Sequence, residues 1–233
     1  MGENNTEPST YQEIYSINNG KKDPTVKEIQ LDNKIVKFQP DTAAKAIFRK
    51  ARHPPYTLRR KIEDELHRLE QGNIIEKTDT TEWGTPIFAV PKSDGSFCIC
   101  GDYKTTLNKE VKGYEHPIPR LEDLAAKLAG GEKFSSIDFS HAYTHLCLDE
   151  ESQNLTIINT HCGLYKYKCQ AYGISACPAI WQRTIESISG DILSTVVYFD
   201  NMFITGADTA THLKTLETIF KRCKEKGLTL KRT

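Results

Sequence analysis

Two acidic positions stand out for what they could do together. Asp138 lies in the strand-like run Phe134–Phe139. Asp200 lies in Tyr198-Phe199-Asp200-Asn201, between the apolar runs Leu193–Val197 and Met202–Ile204. Two short β-rich runs joined by a polar pair read as a hairpin whose tip displays one carboxylate and one amide. One carboxylate on each of two neighbouring strands is the minimum arrangement for holding a pair of magnesium ions for phosphoryl or nucleotidyl transfer. Taken alone, each Asp is an ordinary turn or strand-end acid, and Asp-Asn is an ordinary turn pair. The chemistry depends on whether the rest of the chain brings them together.

The elements that would do so follow an α+β pattern. Leu58, Ile62, Leu66 and Leu69 recur at helical spacing, with Gly72 where a helix would stop. Ile87–Val90 and Phe97–Cys100 flank Lys92-Ser93-Asp94-Gly95-Ser96, a hairpin signal. Pro119 opens a short helix carrying Leu121, Leu124 and Leu128, closed by Gly130-Gly131. Leu155–Thr160 and Tyr165–Cys169 read as strands about a turn at Gly163, and Phe139–Leu148 as a strand leading into a turn. A helix is expected from Pro178 to about Ser189, and an amphipathic one from His212 to Lys226, ended by Gly227. Ile29 and Leu31, then Val36 and Phe38, alternate as a strand pair or hairpin would. Residues 1–25 are polar and read as a disordered segment ahead of one domain spanning 26–233. There is no internal repeat and no β-α-β alternation of a doubly wound sheet.

Ten segments in order carry a resemblance. They are Phe48-Arg49-Lys50-Ala51-Arg52, Glu82-Trp83-Gly84-Thr85-Pro86-Ile87, Val90-Pro91-Lys92-Ser93-Asp94-Gly95-Ser96 and Gly101-Asp102-Tyr103-Lys104. Then come Ile118-Pro119-Arg120-Leu121-Glu122-Asp123-Leu124, Ser136-Ile137-Asp138-Phe139, Ala142-Tyr143, Ala171-Tyr172-Gly173, Ala176-Cys177-Pro178-Ala179-Ile180-Trp181-Gln182-Arg183 and Tyr198-Phe199-Asp200-Asn201. Over roughly residues 30 to 230 the chain is similar to the reverse transcriptase domain of the Pol polyprotein of gypsy-type long-terminal-repeat retrotransposons. The resemblance implies interleaved fingers and palm subdomains. It also implies attack of a primer 3′-hydroxyl on the α-phosphate of a deoxynucleotide, with two magnesium ions, or manganese in their place. On the matching positions, Asp138 and Asp200 would hold both metals, and Asn201 completes the catalytic set. Lys92 and the position of Cys98 would reach the triphosphate. Tyr143 would lie under the sugar and exclude a ribose 2′-hydroxyl, with Tyr172 packed near the nucleotide. Gln182 and Arg183 would face template or nucleotide, and Arg49, Lys50 and Arg52 would follow the phosphates of an RNA or DNA primer–template.

The chain departs from the family pattern at several positions. Asn201 puts a neutral carbonyl where the family has a second Asp, a loss of about 2–4 kcal/mol or roughly 10²–10³ in rate. Cys98 stands where the family has an Arg that grips the triphosphate, and a thiol makes no charge-assisted bidentate contact. Ala171 replaces the Pro of a Pro-Phe-Gly turn and loosens it. The sequence stops at Leu230-Lys231-Arg232-Thr233, before the family's primer-gripping hairpin and thumb; Lys231 is a candidate for the lysine that protonates pyrophosphate. The expectation is an impaired RNA-directed DNA polymerase. The alternative is a noncatalytic remnant or domesticated module that binds nucleic acid or a protein partner.

Composition sets bounds on both readings. Lys and Arg (31) balance Asp and Glu (31), which argues against a uniformly basic nucleic-acid coat. The charge is nevertheless uneven: Lys45 to Lys61 carries Lys45, Arg49, Lys50, Arg52, Arg59, Arg60 and Lys61 without an acid. Such a strip is either a phosphate track or a solvated helix face. Seven cysteines, with no C-x-x-C pair and no apolar leader, fit a reduced intracellular protein of the cytoplasm or nucleus. No run of 18 apolar residues predicts a membrane span, and nothing sets an oligomeric state. His141, His145, Cys147, His161 and Cys162 could be sketched as a zinc site. Ligands at i and i+4 converge only on a helix, and a strand is expected there, so zinc is not expected.

Overall fold

The computed structural model describes residues 35–40, 44–91, 97–111 and 116–231. The segment 1–25, Ile29, Leu31 and Lys92 lie outside the described residues. Among the described residues, these α-helices and β-strands follow in order: β1 (Ile35–Val36), α1 (Tyr56–Gln71), β2 (Ile75–Thr78), β3 (Thr85–Pro91), β4 (Phe97–Gly101), α2 (Leu121–Leu128), β5 (Lys133–Asp138), β6 (Cys147–Leu148), α3 (Glu150–Leu155), β7 (Ile158–Thr160), β8 (Gly163–Tyr167), α4 (Cys177–Ser189), β9 (Thr195–Tyr198), β10 (Asn201–Gly206) and α5 (Thr209–Glu225). They build an α+β fold on two main sheets. One is antiparallel in the order β5-β10-β9; the other is mixed, β2-β8-β7-β3-β4, with β3 and β7 parallel.

In the three-stranded sheet, period-two alternation separates core from site. Ile137, Met202 and Val197 pair across the strands and are buried, whereas the adjacent row Asp138, Asn201 and Tyr198 is at least partly exposed. Helix α4 packs on β9, and α5 on β10 and β5. In the other lobe, α1 lies against β4 and β2 through Ile62, Leu66 and Leu69, the helical stripe read from the sequence. A single buried cluster runs from these residues through Ile99, Tyr103 and Tyr167 to Trp181, Met202 and Ile219, so the two sheets share one core.

Local chemistry shifted several expected boundaries. Val36 pairs in parallel with Leu148 of β6, joining a partner more than a hundred residues away in the chain. Leu155 closes helix α3, which the sequence did not suggest; Asp149 caps it by accepting a hydrogen bond from the Ser152 amide at 3.0 Å. α5 starts at Thr209 rather than at His212 because Asp208 accepts from the Thr211 amide at 2.8 Å. Phe139–Leu148 is not one continuous strand: its end, Cys147–Leu148, is β6, but its centre is a single 3-10 turn at Ala142–His145, entered through His141 at φ 50°.

Leu66 is fully enclosed between α1 and the sheet. Leu66→Ala is expected to cost about 2–5 kcal/mol in urea unfolding, with the denaturant slope unchanged.

Candidate active site

β5 ends at Asp138 and β10 begins at Asn201, and the register sets these residues directly opposite each other. Asn201 also faces Tyr198 across β9, so it occupies the middle of the row. Directly paired residues share a sheet face, with Cβ atoms about 4.5–5.5 Å apart. The hairpin therefore differs from the Asp-Asn tip expected from sequence. Its tip is Phe199-Asp200, and Asn201 is a strand residue held by partners on both sides.

Phe199 adopts φ 54°, a left-handed conformation that costs a side chain with a Cβ about 1–2 kcal/mol. Helix α4 holds it there. Trp181 Nε1 donates to the Phe199 carbonyl at 2.8 Å, Gln182 Oε1 accepts from the Phe199 amide at 3.0 Å, and Gln182 Nε2 donates to the Val197 carbonyl at 2.7 Å. Trp181 and Gln182 are each 0% exposed, so leaving any of these groups unpartnered would carry its full desolvation cost. The expectation that Gln182 faces template or nucleotide is corrected: its amide is committed to the hairpin backbone from beneath. Arg183, the next residue, is the exposed one.

Asp200 is exposed and Asp138 half-buried. The Phe139 amide donates to the Asp200 carbonyl at 2.9 Å, tying the tip to the end of β5. Asn201 Nδ2 reaches Asp200 Oδ1 at 3.4 Å. Among the described residues, neither carboxylate forms an ion pair with a Lys, Arg or His. The chain also returns to this point: the Lys231 amide donates to the Asp138 carbonyl at 2.8 Å, and the Ser140 amide to the Thr229 carbonyl at 2.9 Å. Lys231 is thus beside Asp138 through its backbone.

An aromatic wall adjoins the acids. The Tyr143 ring meets Tyr172 edge-on at 4.9 Å and Trp181 at 6.4 Å. Burial, and then the charge of Asp200, push the Tyr143 hydroxyl up to about 12. Burial, then Cys98, Tyr143 and Asp200, raise Tyr172. These couplings gather Asp200, Tyr143, Tyr172 and Cys98 about one space. The turn at Tyr172 is fastened by Asn108, a residue sequence reasoning missed because nothing in its spacing marks it. Its Nδ2 donates to the Gly173 carbonyl at 2.8 Å, and its Oδ1 accepts from the Ser175 amide at 2.9 Å. Gly173 sits at φ 97°, and a Cβ there would lie 2.7 Å from the Gly101 carbonyl oxygen. This turn is thereby secured with an alanine, not a proline, at position 171.

The basic strip is only partly available. Arg49 and Lys50 are exposed, whereas the Arg52 guanidinium is bonded to Asp102. Of the sketched zinc ligands, His141, His145 and Cys147 do not join His161 and Cys162 in one group. His145 instead stacks on Trp181, with ring centroids 5.9 Å apart, and its Nε2 lies 3.0 Å from both the Ser140 carbonyl and Thr229 Oγ1.

Residues 90–233 match the family model "Reverse transcriptase (RNA-dependent DNA polymerase)", more than half of the chain. The chain belongs to the reverse transcriptase family. It is a retrotransposon-type reverse transcriptase domain. It is 34% identical over 192 residues to "Uncharacterized protein K02A2.6" of Caenorhabditis elegans, covering 82% of this chain and 15% of that one. It is 29% identical over 169 residues to the Transposon Tf2-7 polyprotein of Schizosaccharomyces pombe, covering 72% and 12%. The chain thus spans less than a sixth of the length of these relatives. Among solved structures, the foamy viral protease-reverse transcriptase in complex with an RNA/DNA hybrid superposes with a TM-score of 0.76 at 22% identity, over 84% of this chain and 26% of that one. The foamy viral protease-reverse transcriptase dRH in complex with double-stranded DNA gives 0.73 at 21%, over 85% and 36%. These confirm the fold.

Two outcomes test the supporting layer. Gln182→Leu leaves the Phe199 amide and Val197 carbonyl unpartnered, so it is expected to lower unfolding stability by about 1–3 kcal/mol; a changed nucleotide KM at full stability would contradict this role. Burial depresses His145 below its ordinary 6.5. As pH falls through 6.5, the unfolded chain takes the proton first, so stability is lost on acidification. His145→Gln should flatten that slope between pH 7 and 5 in thermal melts.

Proposed function

We propose that this chain performs templated deoxynucleotidyl transfer from an RNA template with two divalent ions, magnesium or manganese, at an attenuated rate. The observation that carries the reading is the pairing of Asp138 with the hairpin of Asp200, both without a cation partner among the described residues, against the Tyr143–Tyr172 wall. Two carboxylates and the carbonyl of Asn201 are hard oxygen donors that suit magnesium, so Asp138 and Asp200 would hold the ions. When bound, such ions lower the pKa of a primer hydroxyl and neutralise charge on the phosphates.

The chain's own residues do the rest. The Tyr143–Tyr172 wall would lie under a deoxyribose, with Tyr143 the residue that would exclude a 2′-hydroxyl. Tyr143 stays protonated at working pH, so it adds no charge beside the phosphates. Asn201 at the centre of the row withholds one negative charge where ions are held, and Cys98 brings no guanidinium to the triphosphate. Arg49 and Lys50 follow the backbone of a primer–template. An intracellular setting, cytoplasm or nucleus, accords with seven cysteines that form no disulfide. No described helix is long and apolar enough to cross a membrane.

Primer extension on an RNA template with magnesium or manganese tests the reading. Extension should vanish in Asp138→Ala and rise roughly 10²–10³-fold in Asn201→Asp, the equivalent of about 2–4 kcal/mol. Folded protein that extends no better than Asp138→Ala, and gains nothing from Asn201→Asp, would leave a noncatalytic binding module. In that case template affinity should still fall with salt and with neutralisation of Arg49 and Lys50.

A further inference from the structure

Away from the acids, the other lobe gathers three donors from distant parts of the chain. Glu63 projects from α1, while His161 and Cys162 form the turn between β7 and β8. One ligand atom from each lies within 4.8 Å of the others, and all three residues are half-buried. His161 Nε2 is 3.2 Å from Glu63 Oε1, while its Nδ1 is buried with no hydrogen-bond partner. The turn itself is fixed: the Cys162 amide donates to Thr160 Oγ1 at 3.1 Å, and Thr160 Oγ1 donates to the Gly163 carbonyl at 2.8 Å. The three side chains are therefore presented by a rigid hairpin and a helix packed in the same core.

We propose that Glu63, His161 and Cys162 form a binding site for a zinc-class divalent ion, with a water in the fourth position. A carboxylate, an imidazole and a thiolate are the donor types of tetrahedral zinc, and magnesium would reject the sulfur. The ligand separations need only small side-chain adjustments to surround an ion at about 2.0–2.3 Å. Without an ion, burial and then the charge of Glu63 push the Cys162 thiol up, with Lys77 only partly opposing them. An ion at the site reverses the effect of Glu63, because the carboxylate then becomes a ligand. Binding would clamp α1 to the β7–β8 turn, which is a structural role separate from nucleotidyl transfer. The sequence pattern does not reveal this grouping, because Glu63 lies nearly a hundred residues upstream of the other two donors.

The test is titration of the purified, chelator-treated full chain with cobalt(II), followed by displacement with zinc. The expected result is one equivalent bound with a near-ultraviolet thiolate-to-cobalt band that zinc abolishes. The band should be lost in Cys162→Ser and retained in Cys98→Ser and in Asp138→Ala. Glu63→Gln, at a half-exposed position, should weaken binding by more than about tenfold. Zinc should also raise the thermal midpoint of the wild type and not that of Cys162→Ser. No thiolate band, a band that survives Cys162→Ser, or one lost only in Cys98→Ser would overturn the proposal.

Discussion

The hairpin that carries Asp200 depends on a grip from one buried helix. Phe199 must take a left-handed backbone for Asp200 to stand at the tip, and an aromatic residue does not choose that conformation unaided. Trp181 and Gln182 supply three hydrogen bonds in a region closed to water. Because unmade bonds there would be costly, the helix over-determines the turn and the strain persists. The same indole also meets Phe139, Tyr143 and His145. One side chain thus sets the relation between the hairpin, the aromatic wall and the strand that ends at Asp138.

The candidate site built on this frame brings two carboxylates and one amide together. Asn201 occupies the centre of a row whose neighbours include Asp138, and its amide contributes a dipole without a charge. Its amide nitrogen turns toward Asp200, a contact that a carboxylate would not make. Asn and Asp have nearly the same shape, so an Asp at this position would change the field and not the packing. Cys98 likewise brings no charge, while β4 holds its register against β3 there.

The other lobe is built by longer-range closure. α1 is an amphipathic helix laid on β2 and β4, and it brings Glu63 to a turn that follows it in sequence by almost a hundred residues. Asn108 works in the same way, crossing to the Tyr172 turn and fixing its backbone at two points. Both are contacts between an element and a loop that no local pattern encodes.

Much of the chain was decided by local sequence. The helical stripe Leu58–Leu69, the Pro178 start of α4, the hairpin pairing of β3 with β4 and the segment series ending in Tyr198-Phe199-Asp200-Asn201 each follow from periodicity, turn chemistry or motif order. The acids Asp138 and Asp200 could be named for the same reason. Tertiary structure alone decided where the turn fell, because strand register is set by partners on both sides: Asn201 became a strand residue and not a tip residue. It also decided that Gln182 faces inward, since exposure on a helix depends on what packs against it. The parallel pairing of Val36 with Leu148, the Asp149-capped helix and the meeting of Glu63 with His161 and Cys162 are non-local for the same physical reason. Period and propensity act over a few residues, whereas burial and cross-chain pairing are settled only when the whole core closes.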